Sequence, residues 1–148
     1  MKKVILLVED EPNDIFFMQR AMKQFGATHP LFVVEDGQQA IDYLGGSGEF
    51  KDREKYPLPT IVLLDLKLPR VMGLDVLRWV RHQPKLQTII VIVFTSSQLR
   101  PDIQTAYQLG ANSYITKPST PETLLKIVTQ INEYWLELNQ PPEIDASI

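Results

Sequence analysis

The 148-residue chain is 44% hydrophobic and 22% charged, ordinary for a soluble globular protein, and its length fits one domain with a sizeable core. A net charge of -3 argues against nonspecific nucleic-acid binding, which needs a basic surface to release counterions. The absence of cysteine excludes disulfides and thiolate metal sites and fits a reducing cytoplasm.

The start, Met1-Lys2-Lys3 followed by Val4-Ile5-Leu6-Leu7-Val8, imitates a signal peptide. Its apolar run ends after five residues in Glu9-Asp10-Glu11, too short for a signal core or a membrane span, and reads as the first strand. A first helix is predicted from about Pro12 to Phe25, with Gly26 just past its end. Ile15, Met18, Ala21, Met22 and Phe25 recur on it at helical spacing. A short strand, Leu31 to Val34, leads to a helix near Gln38 to Leu44. Residues 45–58 have no periodicity and read as a mobile surface loop, long for an α/β connection. The apolar run Thr60 to Leu64 is the third strand, ending at Asp65 and a loop punctuated by Pro69 and Gly73. A third helix, with Leu74, Val76, Leu77 and Val80, stops before Pro84. The strand Ile89 to Phe94 runs into Thr95-Ser96-Ser97, and a short helix from about Asp102 to Leu109 stops at Gly110. The strand Ser113 to Thr116 ends in Lys117-Pro118, and Thr120-Pro121-Glu122 opens the fifth helix. Alternating strands and helices predict an α/β fold with a parallel sheet covered on both faces.

Four strands therefore end in reactive groups: Glu9 and Asp10, Asp65, Thr95 and Lys117. Open α/β sheets bind ligands beyond the carboxyl ends of their strands, so these residues read as one assembled site. Together with Pro69, Gly73, Tyr114 and Pro118, and with their spacing, they make the chain resemble a response-regulator receiver domain of bacterial two-component signalling, from about residue 3 to about residue 138. Tyr43-Leu44-Gly45-Gly46, the long loop after it and the Trp-bearing last helix are similar to the single-domain regulators paired with cyanobacterial phytochromes.

The resemblance implies a five-stranded parallel sheet of order 2-1-3-4-5, a receiver domain over residues 1–138 and a C-terminal tail over 139–148. It implies a phosphoryl group passed from a sensor histidine kinase to Asp65. Glu9, Asp10 and Asp65 would repel one another without a hard divalent cation, and Mg²⁺, with Mn²⁺ as a substitute, takes carboxylate and phosphate oxygens. The family's metal contact two residues after the nucleophile, here Lys67, goes through the backbone carbonyl, so the departure from a smaller polar residue affects phosphoryl lifetime more than metal binding. The Lys67 side chain is read as shielding the phosphoryl group, pairing with Glu9 or Asp14, or facing solvent. Lys117 and Thr95 would contact the phosphoryl group. Thr95 and Tyr114 would form the switch, and a cis Lys117–Pro118 bond would aim the ammonium inward. Neither His29 nor His82 reads as functional.

Plainer readings stand beside these. Glu9 to Glu11 can cap the first helix, Asp65 can be a turn residue, Thr95 a local turn hydroxyl, Lys117 a solvated surface lysine and Tyr114 ordinary strand packing. Competing functions are a haloacid-dehalogenase-type phosphatase, a flavodoxin-like flavin binder and a degenerate receiver. The first needs a second acid where Lys67 stands, and the second a phosphate-binding loop where Glu9-Asp10-Glu11 would repel phosphate. The complete set of site residues argues against the third.

The fifth helix carries a core stripe of Leu124, Ile127, Val128 and Ile131. Beyond it, Tyr134, Trp135, Leu136 and Leu138 crowd more than one face, so some are expected to remain exposed. With Ile103 and Tyr107 they predict a two-fold homodimer or partner surface formed by the fourth helix, fifth strand and fifth helix, anchored by Trp135; the plainer alternative is that Trp135 folds back onto its own domain. Kinase identity and downstream protein are not encoded in any motif, and no nucleic-acid or membrane partner is expected.

Overall fold

A computed structural model describes residues 3–144; the first two residues of the signal-like start and the last four of the expected tail lie outside the described residues. Five parallel strands, β1 (Ile5–Val8), β2 (Leu31–Val34), β3 (Ile61–Leu64), β4 (Ile90–Thr95) and β5 (Ser113–Thr116), form one sheet in the order β2-β1-β3-β4-β5. They alternate with α1 (Pro12–Phe25), α2 (Gly37–Gly45), α3 (Gly73–His82), α4 (Arg100–Gln108) and α5 (Pro121–Ile131).

Successive strand residues point to opposite faces, and each face is apolar here because each is covered by helices. Leu6, Val8, Val62, Leu64 and Val91 pack with Tyr43 and Leu44 of α2 and with Val76, Leu77 and Val80 of α3. Ile5, Leu7, Ile61, Leu63 and Ile92 pack with Met18, Ala21 and Met22 of α1 and with Leu124, Val128 and Ile131 of α5. Central strands buried on both sides fix the register. Val8 lies beside Leu64, and the Asp65 N–H donates to the Val8 carbonyl at 3.1 Å, so Glu9 and Asp65 emerge side by side. On the other flank Leu64 lies beside Val93 and Thr95 beside Thr116, which carries Thr95 and Lys117 to the same edge.

Residues 45–58 depart from the expectation of a mobile loop. A 3₁₀ turn (Gly48–Lys51) seats Phe50 against Tyr43 and Tyr56, with ring centroids 5.2 and 5.0 Å away. The Tyr43 hydroxyl donates to the Pro57 carbonyl at 2.8 Å, and the Arg53 guanidinium donates to the carbonyls of Tyr43 at 2.7 Å and Leu44 at 2.9 Å. Arg53 thereby satisfies the terminal carbonyls of α2. Aromatic anchors spread irregularly through a segment leave no periodic trace, which is why the sequence reads as unstructured.

The end of α5 also departs from expectation. The chain continues as a π-helical segment over Asn132–Leu138, whose wider turn redistributes the side chains. Leu136 is fully buried and Trp135 packs half-buried against the α1–α5 core, while Tyr134 is 50% and Leu138 73% exposed. Trp135 is therefore not the free anchor expected from the sequence; its edge-on contact with Tyr134, centroids 5.0 Å apart, supports the exposed ring from behind. The Lys3 ammonium donates to the Leu136 carbonyl, and His29 meets Glu137 at 3.0 Å, tying this segment to the body of the domain.

Removing the central aromatic of the 45–58 segment tests whether that segment is part of the core. Phe50→Ala is expected to cost about 3–5 kcal/mol, the range for a buried aromatic, read as a lowered urea midpoint; a midpoint equal to wild type would return the segment to the status of a loose loop.

Candidate functional site

The carboxyl edge of β1 and β3 is where strand order reverses, and it holds the acids. Glu9 and Asp65 are 2% and 6% exposed, whereas Asp10 is open to solvent. One carboxylate oxygen from each of the three lies within 4.8 Å of the others. Lys117, delivered by the end of β5, reaches into this group. Its ammonium lies 2.6 Å from Glu9 Oε1, 2.8 Å from Asp65 Oδ2 and 2.8 Å from Asp14 Oδ2. The lysine is only 11% exposed, so the reading of a solvated surface residue does not hold. It reaches the acids from a trans Lys117–Pro118 bond, since no cis peptide occurs among the described residues. Its backbone N–H is held by the Thr95 carbonyl at 2.8 Å, which aims the side chain without a cis bond.

The electrostatics divide the acids. Burial, reinforced by the Asp65 charge, pushes the Glu9 carboxyl up from 4.5 to about 7 despite its contact with Lys117. Burial also acts to raise Asp65, but the Lys117 hydrogen bond and charge outweigh it. With help from the Thr95 hydroxyl and the Lys67 N–H they hold Asp65 below the usual carboxylate range. For Lys117 burial disfavours the ammonium, yet its bonds to Asp14, Asp65 and Glu9 prevail and raise its pKa above the ordinary lysine value. The anion is thus favoured at Asp65, while burial makes Glu9 the more readily protonated acid of the two. Clustered hard oxygen donors with an undercompensated acid among them fit a divalent cation such as Mg²⁺ or Mn²⁺.

Thr95 is buried at the end of β4 against Asp65. Lys67 donates its N–H to Asp65 Oδ1 at 3.3 Å, but its side chain is exposed and makes no ion pair among the described residues. Of its three readings, pairing with Glu9 or Asp14 is not seen here; both acids pair with Lys117 instead. Tyr114 lies half-buried beside Leu66, Val93 and Ala106, and its hydroxyl donates to the Ser97 carbonyl at 2.9 Å. Ser97 in turn donates to Asp102 Oδ2 at 2.5 Å, linking the loop after β4 to the first turn of α4. Ile103 is half-buried and Tyr107 50% exposed on α4, apart from the acid cluster. The Lys117 contact was not foreseen for Asp14, an acid in the first turn of α1. Its only signal is position: one turn into the helix that follows the acidic strand end, it stands beside that end.

The Glu9 shift has a definite consequence for stability. With metal chelated, folded Glu9 keeps its proton to about pH 7 and the unfolded chain only to 4.5, so its contribution is fully present below 4.5 and is lost as pH rises through 7. Glu9→Gln removes this titration. Between pH 5 and pH 8 in chelator, the melting temperature of wild type should fall relative to Glu9→Gln by several degrees; a constant difference would contradict the raised pKa.

Beyond its own geometry, the chain is similar to known proteins in sequence and fold. Residues 5–129 match the response regulator receiver domain. Response regulator Rcp1 of Synechocystis sp. is 38% identical over 135 residues, spanning 91% of this chain and 90% of Rcp1. The structure of the phosphorylated cyanobacterial phytochrome response regulator RcpA matches with a TM-score of 0.89 and 36% identity, covering 97% of this chain and 100% of that one. The Mn²⁺-bound form of Rcp1 matches with a TM-score of 0.85 and 38% identity, covering 95% of this chain and 99% of the other. The chain belongs to the response regulator receiver domain family.

Proposed function

We propose that this protein is a phospho-accepting signalling module whose Asp65 takes a phosphoryl group from the phosphohistidine of a sensor histidine kinase. The observation that carries this reading is the Asp65 carboxylate, held ionised against the Lys117 ammonium at 2.8 Å within the cluster of Glu9 and Asp10. An Asp65 oxygen attacks phosphorus, the P–N bond breaks, and its electron pair leaves on the imidazole, which is stabilised by taking up a proton. Glu9, Asp10 and Asp65, with the Lys67 backbone carbonyl, would hold Mg²⁺ or, as a substitute, Mn²⁺, which when bound neutralises charge on the transferring phosphoryl group. Lys117 supplies a second positive charge, and the Thr95 hydroxyl a donor, to the phosphoryl oxygens. The protein catalyses only its own phosphorylation and dephosphorylation. Mn²⁺ in the related Rcp1 supports the metal assignment, and the phytochrome response regulator RcpA supports a phytochrome as the sensor.

Output follows from what Thr95 touches. Contact with the phosphoryl group would draw Thr95 toward Asp65 and shift the loop that Tyr114 holds through Ser97, so Thr95 and Tyr114 bias the α4–β5–α5 surface between two arrangements. That surface would pair two copies or bind a downstream protein through Ile103, Tyr107, Tyr134 and Leu138, with Trp135 as internal support. Residues 1–138 would make up the signalling domain and 139–148 a tail beside it, acting in the cytoplasm.

Incubation with acetyl phosphate and Mg²⁺ should give an acid-labile phosphate visible by intact mass. Asp65→Asn, or wild type with chelator, should give none while keeping the fold; label retained in the variant would remove Asp65 as the acceptor. For the surface, wild type should sediment as a dimer at micromolar concentration, and Tyr134→Ala with Leu138→Ala should weaken that dimer by about tenfold or more. A wild type that stays monomeric, phosphorylated or not, would rule the dimer out.

A further inference from the structure

Lys117 has three N–H donors and uses all of them, on Glu9, Asp65 and Asp14. Two of those acceptors belong to the cluster that would take the metal and the phosphoryl group. A cation on Glu9 competes with the ammonium for that carboxylate, and phosphorylation converts Asp65 from a carboxylate into an acyl phosphate. Asp14 is different. It sits on α1 outside the cluster, is 39% exposed, and its carboxylate is consumed by neither event. Beside the Asp14–Lys117 pair lies a cavity of about 200 Å³ lined by Phe17, Phe94, Pro118 and Leu124, with Asp14 and Lys117 themselves on its wall. A lysine released by both Glu9 and Asp65 has room to turn into that space, away from the reacting phosphorus.

We propose that Asp14 is a positioning residue for phosphoryl transfer: it tethers Lys117 over Asp65 once the metal has taken Glu9. The proposal rests on phosphoryl acceptance by Asp65. Asp14 touches neither the metal cluster nor the phosphoryl group; it acts by limiting how far the ammonium can move from Asp65 when the other two carboxylates release it, so the transferring oxygens meet a fixed charge. Removing one negative charge near an anionic donor would by itself favour donor binding. Loss of orientation instead lowers the rate at saturating donor, and the two effects are separable.

The test measures Asp14→Ala, Lys117→Ala and the double variant with acetyl phosphate at saturating Mg²⁺. Asp14→Ala should lower the rate at saturating donor by about three- to tenfold, with donor half-saturation unchanged or lower, and with Mg²⁺ affinity and melting temperature close to wild type. Asp14→Glu, which keeps the carboxylate, should recover part of the rate. In the Lys117→Ala background, Asp14→Ala should have no further effect, because the tether then has nothing to hold. Wild-type rate in Asp14→Ala, or an equal loss with and without Lys117, would overturn the proposal. A wild type that takes no phosphate at all would instead sink the reading of Asp65.

Discussion

The site is organised by one buried ammonium. Lys117 is held by three carboxylates at 2.6 to 2.8 Å, and without it two nearly buried acids would face each other with no counter-charge. Removing one partner of a buried charge cluster leaves the others uncompensated, which is far costlier than losing a surface pair. Lys117 does not neutralise its neighbours evenly. Asp65 is kept below its ordinary pKa and Glu9 is left above its own, so the group holds one firm anion and one readily protonated acid. On the proposed reading that asymmetry is useful: the nucleophile is the acid whose ionised form is favoured, and a cation would offset the burial that raises Glu9.

The sheet makes this arrangement possible at little local cost. Parallel register sets Val8 beside Leu64, so the first residues beyond β1 and β3 are neighbours by construction. Glycine keeps the surrounding loops close. A Cβ at Gly73 would lie 2.1 Å from the Asp65 carbonyl oxygen, so the loop that begins at Asp65 and the start of α3 approach more closely than any side chain allows. At Gly37 a Cβ would lie 1.8 Å from the Val71 carbonyl oxygen, which seats the start of α2 against the same loop. The rim of the site is thus braced by backbone contact from two helices, while the acids and the lysine supply its charge.

Strands, helices and the four reactive strand ends were legible in the sequence because each rests on a local signal. Central strands are apolar runs, helix starts carry Pro12 and Thr120-Pro121, and Gly26 sits at the left-handed residue that ends α1, at φ 79°. What stayed hidden depends on contacts between distant residues. Phe50, Tyr56 and Arg53 look like scattered loop residues until Tyr43 and the end of α2 gather them. The π-helical turn at Asn132–Leu138 breaks the period on which a helical stripe is read, so which of the four apolar residues stay exposed, Tyr134 and Leu138, and which turn inward, Trp135 and Leu136, could not be read from spacing. Asp14 has no motif of its own; only the fold brings it to Lys117 across 103 residues of chain.

The same dependence bears on how, under the proposed function, a change at Asp65 would reach the surface. The Lys117 N–H is bonded to the Thr95 carbonyl, so the ends of β4 and β5 move as one, and Tyr114 on β5 is bonded to Ser97 just beyond Thr95. Ser97 binds Asp102 in the first turn of α4. A chain of hydrogen bonds thus runs from the acid cluster to the first turn of a helix with little buried surface: among the described residues of α4, Ala106 alone is buried. Few buried apolar contacts hold that helix, so of the five it is the one whose position small changes in those bonds can shift. Coupling of this kind needs an element with two arrangements close in energy and not merely a connected path. On the proposed reading, the weakly buried α4, bonded at its first turn to the loop that follows Thr95, would be the element to supply those two arrangements.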